Sequence, residues 1–502
     1  MKKSIYALIG LLMAVPAQAQ HQGHKHEQQQ ETKKETVKQP IQKKTASDTI
    51  KPQHKLPVND PSGHDHGNTK SPVTPPGTST HDHTTEHNDH SEHPMSHAFS
   101  LNLPMTRNGS GTAWLPDNSP MYGYMFHTPK WMYMVHGSAF LRYNKQDLLN
   151  KGARGDAKWD APNMVMFMGQ RKVGKSGLFH FNSMFSLDPL TVGEEGYPLL
   201  FQTGESYQGK QLVDRQHPHD QFSELSVSYA HALSPTSDLF VYIGYPGEPA
   251  IGPAAYVHRP SGFFNPDAPL SHHWIDATHI TFGVATVGFR YGNWKIEGSS
   301  FTGREPDENR YNFDKPLFNS WSGRLSFNPS AKWALQTSHA FIKEPEALHP
   351  GEDVNRTTAS ATYSSRGFGE NFFNLTALWG MNKTAGHTGE HAALLEATKA
   401  YRAHAFYGRY EWVQKSVEEL SLNEADFGHD AIFPIHALTA GVSKELLTLG
   451  QTKFAIGGQL TFFSPDKRLA PLYGQNPIAG QVYLRINPRV MGRQEGKFYL
   501  PY

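Results

Sequence analysis

Cysteine is absent from the 502-residue chain. A disulfide framework and any thiolate metal or catalytic site are therefore excluded. Long apolar runs are missing as well. Beyond the first twenty residues no stretch approaches the roughly 20 apolar residues of a transmembrane helix. Net charge is almost nil, at +1, so nothing electrostatic points to nucleic acid as a partner. Catalytic signatures are lacking too. The chain has no G-x-S-x-G elbow, no H-E-x-x-H and no P-loop. Ser271, His272 and Asp276 are triad residue types, but adjacency in sequence is not triad geometry. The expectation is a non-enzyme with no organic cofactor.

What is present begins with an export signal. Lys2 and Lys3 precede an apolar run over residues 5–15, and Ala17-Gln18-Ala19 forms a small-x-small cleavage site. Residues 1–19 are expected to be a signal peptide. Residues 20–109 read as a disordered tail, rich in His, Lys, Gln, Thr and Pro and too poor in apolar side chains to offset ordering entropy. Residues 110–490 read as the folded domain and 491–502 as a C-terminal tail.

From about residue 110 aromatics and glycine rise, and short runs alternate apolar with polar side chains, the period of a strand. Sixteen strands are expected. The first eight are 131–143, 161–173, 177–189, 221–233, 238–246, 279–291, 294–303 and 321–328. The second eight are 333–343, 355–365, 370–381, 391–400, 404–415, 434–445, 452–464 and 478–488. In the fourth, Leu225, Val227 and Tyr229 share one face and Glu224, Ser226 and Ser228 the other. Connections alternate between short turns, such as Gly292-Asn293, and long loops, such as 190–220 and 247–278. That rhythm is the layout of an outer-membrane barrel. The expected fold is therefore all-β, a transmembrane antiparallel up-and-down β-barrel in the outer membrane, with lipid as its surroundings and the tail in the periplasm. A soluble propeller or sandwich is the competing reading. No fixed-period repeat supports a propeller, and a sandwich leaves the loop rhythm unexplained.

Three groups of side chains suggest metal chemistry. The tail carries His64, His66, His81, His83, His87, His90, His93 and His97. Neutral imidazoles on a flexible chain suit Cu, Zn or Ni ions, although the histidines of a solvated spacer would look the same. The second group lies in two long loops. Asp214, His217, His219 and Asp220 form one half; His272, His273, Asp276 and His279 form the other. Both loops belong to one rim, so they are expected to converge as a site over the mouth, or else as a network that orders the loops. Pro218 biases His217 towards an extended conformation, and in an extended chain His217 and His219 point the same way. The third group is Met132, Met134 and His136 on one face of the first strand, with Met164, Met166 and Met168 on one face of the second. Trp131, Tyr133 and Val135 take the outer face, which turns these methionines inward. Thioether plus imidazole suits Cu(I) or Ag(I); ordinary packing is the alternative.

Several segments resemble an uncharacterised family of bacterial outer-membrane proteins. They are Tyr197-Pro198-Leu199-Leu200, Gln202-Thr203-Gly204-Glu205, residues 214–220, Gly247-Glu248-Pro249-Ala250, residues 271–274 and 278–283, and Gly303-Arg304-Glu305-Pro306-Asp307. The resemblance spans roughly residues 110–490. In setting, the family is similar to copper-resistance outer-membrane proteins, which join a metal-binding His/Met-rich N-terminal part to a barrel. It implies an outer-membrane location and a transition-metal role, with periplasmic metal-handling proteins as candidate partners. It supplies no catalytic residues. The long His tail and the C-terminal extension depart from its pattern. A barrel enzyme acting on outer-membrane lipid and a general porin-like channel are the alternative functions.

Overall fold

The computed structural model describes residues 95–366 and 370–491. Sixteen strands close into one antiparallel barrel. They are β1 (Met132–Lys145), β2 (Asn163–Val173), β3 (Gly177–Phe185), β4 (Phe222–Ser234), β5 (Ser237–Gly244) and β6 (Val284–Tyr291). There follow β7 (Trp294–Phe301), β8 (Ser320–Ser330), β9 (Trp333–Ile342), β10 (Val354–Arg366) and β11 (Phe372–Thr384). The last five are β12 (Glu390–Tyr401), β13 (His404–Ser416), β14 (Ile432–Leu449), β15 (Thr452–Pro465) and β16 (Ile478–Pro488). Closure is made by β16 on β1, from Gly480 opposite Lys145 to Ile486 opposite Ala139. The short strand Tyr124–His127 completes that seam along the first half of β1.

Each strand alternates cleanly because its two faces meet different solvents. In β6 Val284, Thr286, Gly288 and Arg290 are buried, whereas Ala285, Val287, Phe289 and Tyr291 are exposed. Val287, Ile296 and Val482 are each 60% exposed on the outer wall, an arrangement that water would penalise and lipid rewards. Aromatic side chains gather where the outer wall meets the short turns. Trp294 stacks on Phe327 at 4.0 Å, and Trp333 lies 4.9 Å from Tyr363. Such girdles mark the level of the membrane interface. The turn between β6 and β7 has only two residues, and Gly292 takes φ +58° there, as two-residue hairpins require at a first central position. Val287→Arg, near the middle of β6, is expected to cost about 2–4 kcal/mol. Urea titration of vesicle-inserted protein checks this, with Thr286→Arg on the inner face as the contrast.

The lumen is not empty. The segment from Tyr245 to Gly283, between β5 and β6, folds inside the barrel. Its Ala250 and Gly252 amides donate to Ser299 on β7 and Ser338 on β9, at 2.8 and 2.9 Å. Arg324 of β8 donates to the Gly252 carbonyl. Asn374 of β11 donates to Pro260, and Ser261 donates to Glu396 of β12. Arg142 of β1 and Gln459 of β15 both reach the Asp267 carboxylate, at 2.6 and 2.8 Å. Arg409 of β13 and Tyr483 of β16 donate to the Asp267 and Phe264 carbonyls. A segment bonded to walls on all sides crosses the lumen; it does not merely cover the mouth. We call it the plug. The inward charges pair accordingly. Glu297 accepts from Lys295 and Arg324, each at 3.0 Å, and Glu396 sits 2.6 Å from Arg409.

Two expectations need correction. Residues 95–109, placed in the tail by composition, belong to the folded unit. Ser96–His97 and Ser100–Pro104 pair as a small hairpin, and Phe99 packs 4.8 Å from Phe240 of β5 inside the lumen. Ala98 and Phe99 join one apolar cluster inside the barrel and Met95 another. The connection between β3 and β4, expected as one long loop, contains a hairpin of Tyr197–Tyr207 with Lys210–Gln216. The expected signal peptide, tail residues up to 94 and the last eleven residues lie outside the described residues.

Candidate functional site

The inner wall of β1, β2 and β3 carries a methionine cluster. Met134 faces Met125 on one side and Met168 on the other in strand register. One rung along, His136 faces Met166, and Met166 faces Met184. Adjacent strands lie about 4.8 Å apart, so each rung brings three inward side chains together. Seven methionines are buried in this cluster: Met95, Met125, Met134, Met164, Met166, Met168 and Met184. Met105, Met121, Met132 and Met491 pack on its margin. The chain has fourteen methionines, and two of the remaining three, Met1 and Met13, fall in the expected signal peptide.

Packing alone does not account for this distribution. Leucine, isoleucine and valine fill ordinary cores, with methionine as an occasional gap-filler. The four other apolar clusters contain no methionine among their buried members, whereas Val257 is the one non-methionine packed in this one. Nitrogen is present as well. His136 Nε2 lies 3.0 Å from Met166 Sδ, and the His258 ring, carried by the plug, lies 5.4 Å from His136. The His258 Nε2 is buried without a hydrogen-bond partner. Burial, assisted by His136, pushes the His258 imidazole down to about 3, so it is held neutral and its lone pair is free. Sequence reasoning placed Met132, Met134 and His136 on the inner face and noted His258 in the His-dense loop with His272 and His273, but did not bring it to the methionines.

A neutral His258 carries a pH signature. The unfolded ring titrates near 6.5, so below that pH the unfolded chain takes up a proton that the folded chain refuses. The stabilising difference is full above about 6.5 and is lost as pH falls from there towards the folded value. Between pH 7 and pH 5, wild type is expected to lose about 2 kcal/mol more stability than His258→Gln, measured by metal-free denaturation in detergent.

The two histidine loops do converge, within the lumen. The His272 ring lies 5.3 Å from His273, 5.1 Å from His279 and 6.4 Å from His217. His219 lies 5.5 Å from His279. Tyr256 sits among them, 5.2 Å from His272 and 6.1 Å from His219. Their Nδ1 atoms face oxygens. His219 meets Asp188 at 2.9 Å, His272 meets Asp276 at 2.7 Å, and His279 meets the Asp276 carbonyl at 2.9 Å. His217 Nδ1 lies 3.2 Å from the Pro218 carbonyl and 3.3 Å from Glu205. An imidazole tied at Nδ1 offers Nε2 as its lone pair, the arrangement that orients metal-binding histidines. The Nε2 atoms of His273 and His279 are buried without partners. Burial holds His217, His272 and His279 low and neutral, although Asp276 opposes it at His272. Gly204, at φ +140°, makes room for His273, whose ring would lie 2.2 Å from any Cβ there.

The carboxylates expected to join these histidines as ligands are largely engaged elsewhere, apart from Asp220 Oδ1, which is buried without a partner. Asp214 accepts from the Phe201 amide at 2.6 Å and from Tyr473 and Arg154 at 3.1 and 3.3 Å. Asp220 accepts from Arg310. Asp276 bridges His272 and Arg259; burial raises it, but Arg259 and His272 outweigh that and hold it well below the carboxylate range. Asp276 therefore orients His272 and is not a free ligand. His97 is a poor ligand as well. Its Nδ1 lone pair is taken by the Phe99 amide at 3.1 Å, and the Lys295 and Arg107 charges nearby oppose a cation there. Ser271 donates to Glu411 and not to a histidine, so no triad forms. The tail residues His64, His66, His81, His83, His87, His90 and His93 lie outside the described residues. Among the described residues, triplets whose ligand atoms all lie within 4.8 Å of one another occur at the rim: His349, Glu352 and Glu418, and His387, His429 and Asp430.

No protein-family model matches the chain, and no curated protein matches it. Several solved structures are similar to the chain. One is an anion-selective porin from Comamonas acidovorans, with 12% identity over 72% of this chain and 99% of that one, at a TM-score of 0.43. Another is Salmonella typhi OmpF in complex with daunomycin, with 9% identity, 73% and 99% coverage and a TM-score of 0.45. A third is a loop-deletion form of OmpT, an outer-membrane protein of Vibrio cholerae, with 9% identity, 71% and 99% coverage and a TM-score of 0.41. The chain is a closed sixteen-stranded antiparallel barrel with a membrane-facing outer wall.

Proposed function

We propose that this protein is an outer-membrane barrel that handles a soft transition-metal cation, of the Cu(I) or Ag(I) class, at its luminal Met/His cluster. One observation carries the reading: methionine is gathered on a single patch of the inner wall while the other apolar patches among the described residues bury none, with the His136 nitrogen 3.0 Å from a thioether sulfur. Soft thioether ligands with imidazole select monovalent copper and silver over Mg or Ca. The barrel layout supports an outer-membrane location, with both chain ends on the short-turn, periplasmic rim. A His-rich tail on that side would add ligands for Cu, Zn or Ni and meet periplasmic metal-handling proteins. The test is elemental analysis of full-length protein after Ag(I) loading in detergent and gel filtration. At least one silver per chain, retained when residues 20–94 are deleted, is expected. Silver that departs with the tail overturns the luminal site.

The second reading is a general porin-like channel, favoured by the closed sixteen-stranded barrel. It predicts open conductance for chloride and potassium in planar bilayers. The plug, bonded across the lumen, favours low conductance instead. A lipid-directed barrel enzyme is less well supported, because His219 and His272 face the interior and not the lipid.

A further inference from the structure

The methionine cluster and the histidine cluster were reached from different parts of the chain, yet one turn of the plug touches both. Residues Tyr256–His258 form a single 3-10 turn. Its first residue, Tyr256, packs among His219, His272 and His279. Its second, Val257, packs in the methionine cluster, and its third, His258, stands 5.4 Å from His136. From His136 the next ligand atom is Met166 Sδ, 3.0 Å away.

We propose that these are consecutive stations of one route, along which a soft monovalent cation passes from the histidine cluster through His258 and His136 to the methionines. The inference rests on the soft-metal reading above and adds direction and transfer to it. Three observations support it. The histidines lie in loops of the long-loop rim, whereas Met132 lies at the short-turn end of β1, so the chain of ligands runs from one rim towards the other. Ligand character changes along it, from imidazole to thioether, so each station offers a few soft donors without a closed cage; conduction requires sites that bind and also release. Finally, unpartnered buried nitrogens occur on both parts of the route, at His279 and His258. A buried lone pair without a donor is costly, and a passing cation satisfies it. The ion changes ligands along the way but not oxidation state.

Full-length protein in liposomes tests the route with Ag(I), which avoids copper redox chemistry. Silver taken up into the vesicle interior is measured after external metal is stripped. Silver bound to the detergent-solubilised protein is measured in parallel. His258→Ala is expected to lower uptake by roughly tenfold or more, a larger loss than the fall in bound silver. His258→Gln, closer in shape, guards against a folding defect, and heat-modifiable gel migration confirms barrel closure in both. Uptake at the wild-type rate in both variants, with binding intact, overturns the route and leaves the luminal site standing. Wild-type binding without any uptake also overturns the route. Absence of wild-type binding overturns the soft-metal reading itself.

Discussion

Replacing Met134 and Met166 together by leucine is expected to remove tight silver binding from the barrel while leaving it folded. Leucine and methionine have similar volume, and such swaps usually cost less than about 1.5 kcal/mol each. Both side chains are 2% exposed and sit on adjacent rungs of β1 and β2, so leucine preserves the packing and deletes only the sulfur. Altering groups that merely orient a ligand costs roughly 10–100-fold in affinity, and removal of two sulfur donors should exceed that. Competition titration with a silver chelator, in detergent and without the tail, measures it. Met381→Leu, on β11 and outside the cluster, serves as the control and should bind as wild type does.

Arg259→Ala is expected to loosen the plug and destabilise the barrel by about 3–5 kcal/mol. Arg259 is 1% exposed. It pairs with Asp276 in the plug at 2.5 Å and faces Glu396 on the wall strand β12 at 3.5 Å. Removing the guanidinium leaves the buried Asp276 carboxylate without its cationic partner, while Glu396 keeps only Arg409, and stripping one partner is the expensive way to break a buried ion pair. His272 then loses the charge balance that keeps Asp276 ionised, so the histidine cluster loosens with the plug. The expected results are a lower melting transition in detergent and larger, noisier conductance in planar bilayers. An unchanged transition together with unchanged conductance would show that the plug is held elsewhere.

The strands were legible because lipid and lumen impose a two-residue period on each of them. Val287 and Phe289 face out and Thr286 and Arg290 face in for that reason alone, and all sixteen expected strands correspond to observed ones within a few residues at their ends. The plug and the Tyr197–Gln216 hairpin were not legible as inward elements. Neither meets lipid, so neither carries that alternation, and the apolar run at Leu199, Leu200 and Phe201 is buried against Phe463 and Tyr473 inside the barrel. The convergence of His217 and His219 with His272, His273 and His279 was foreseeable from two loops sharing one rim. Assigning Asp214 to the same site was not sound. Proximity in sequence did not reveal that its side chain turns towards Arg154 and Tyr473. Met132 and Met134 could be placed inward by parity, whereas Met95 and Met491 joined the cluster only through tertiary folding.

X-ray absorption at the metal edge of Ag(I)-loaded full-length protein tests the central claim most directly. Sulfur scatterers together with a nitrogen scatterer are expected around the bound ion, and the sulfur contribution should disappear in the Met134→Leu, Met166→Leu double variant. A shell of nitrogen and oxygen alone, unchanged in that variant, would contradict the assignment of the methionine wall as the metal site.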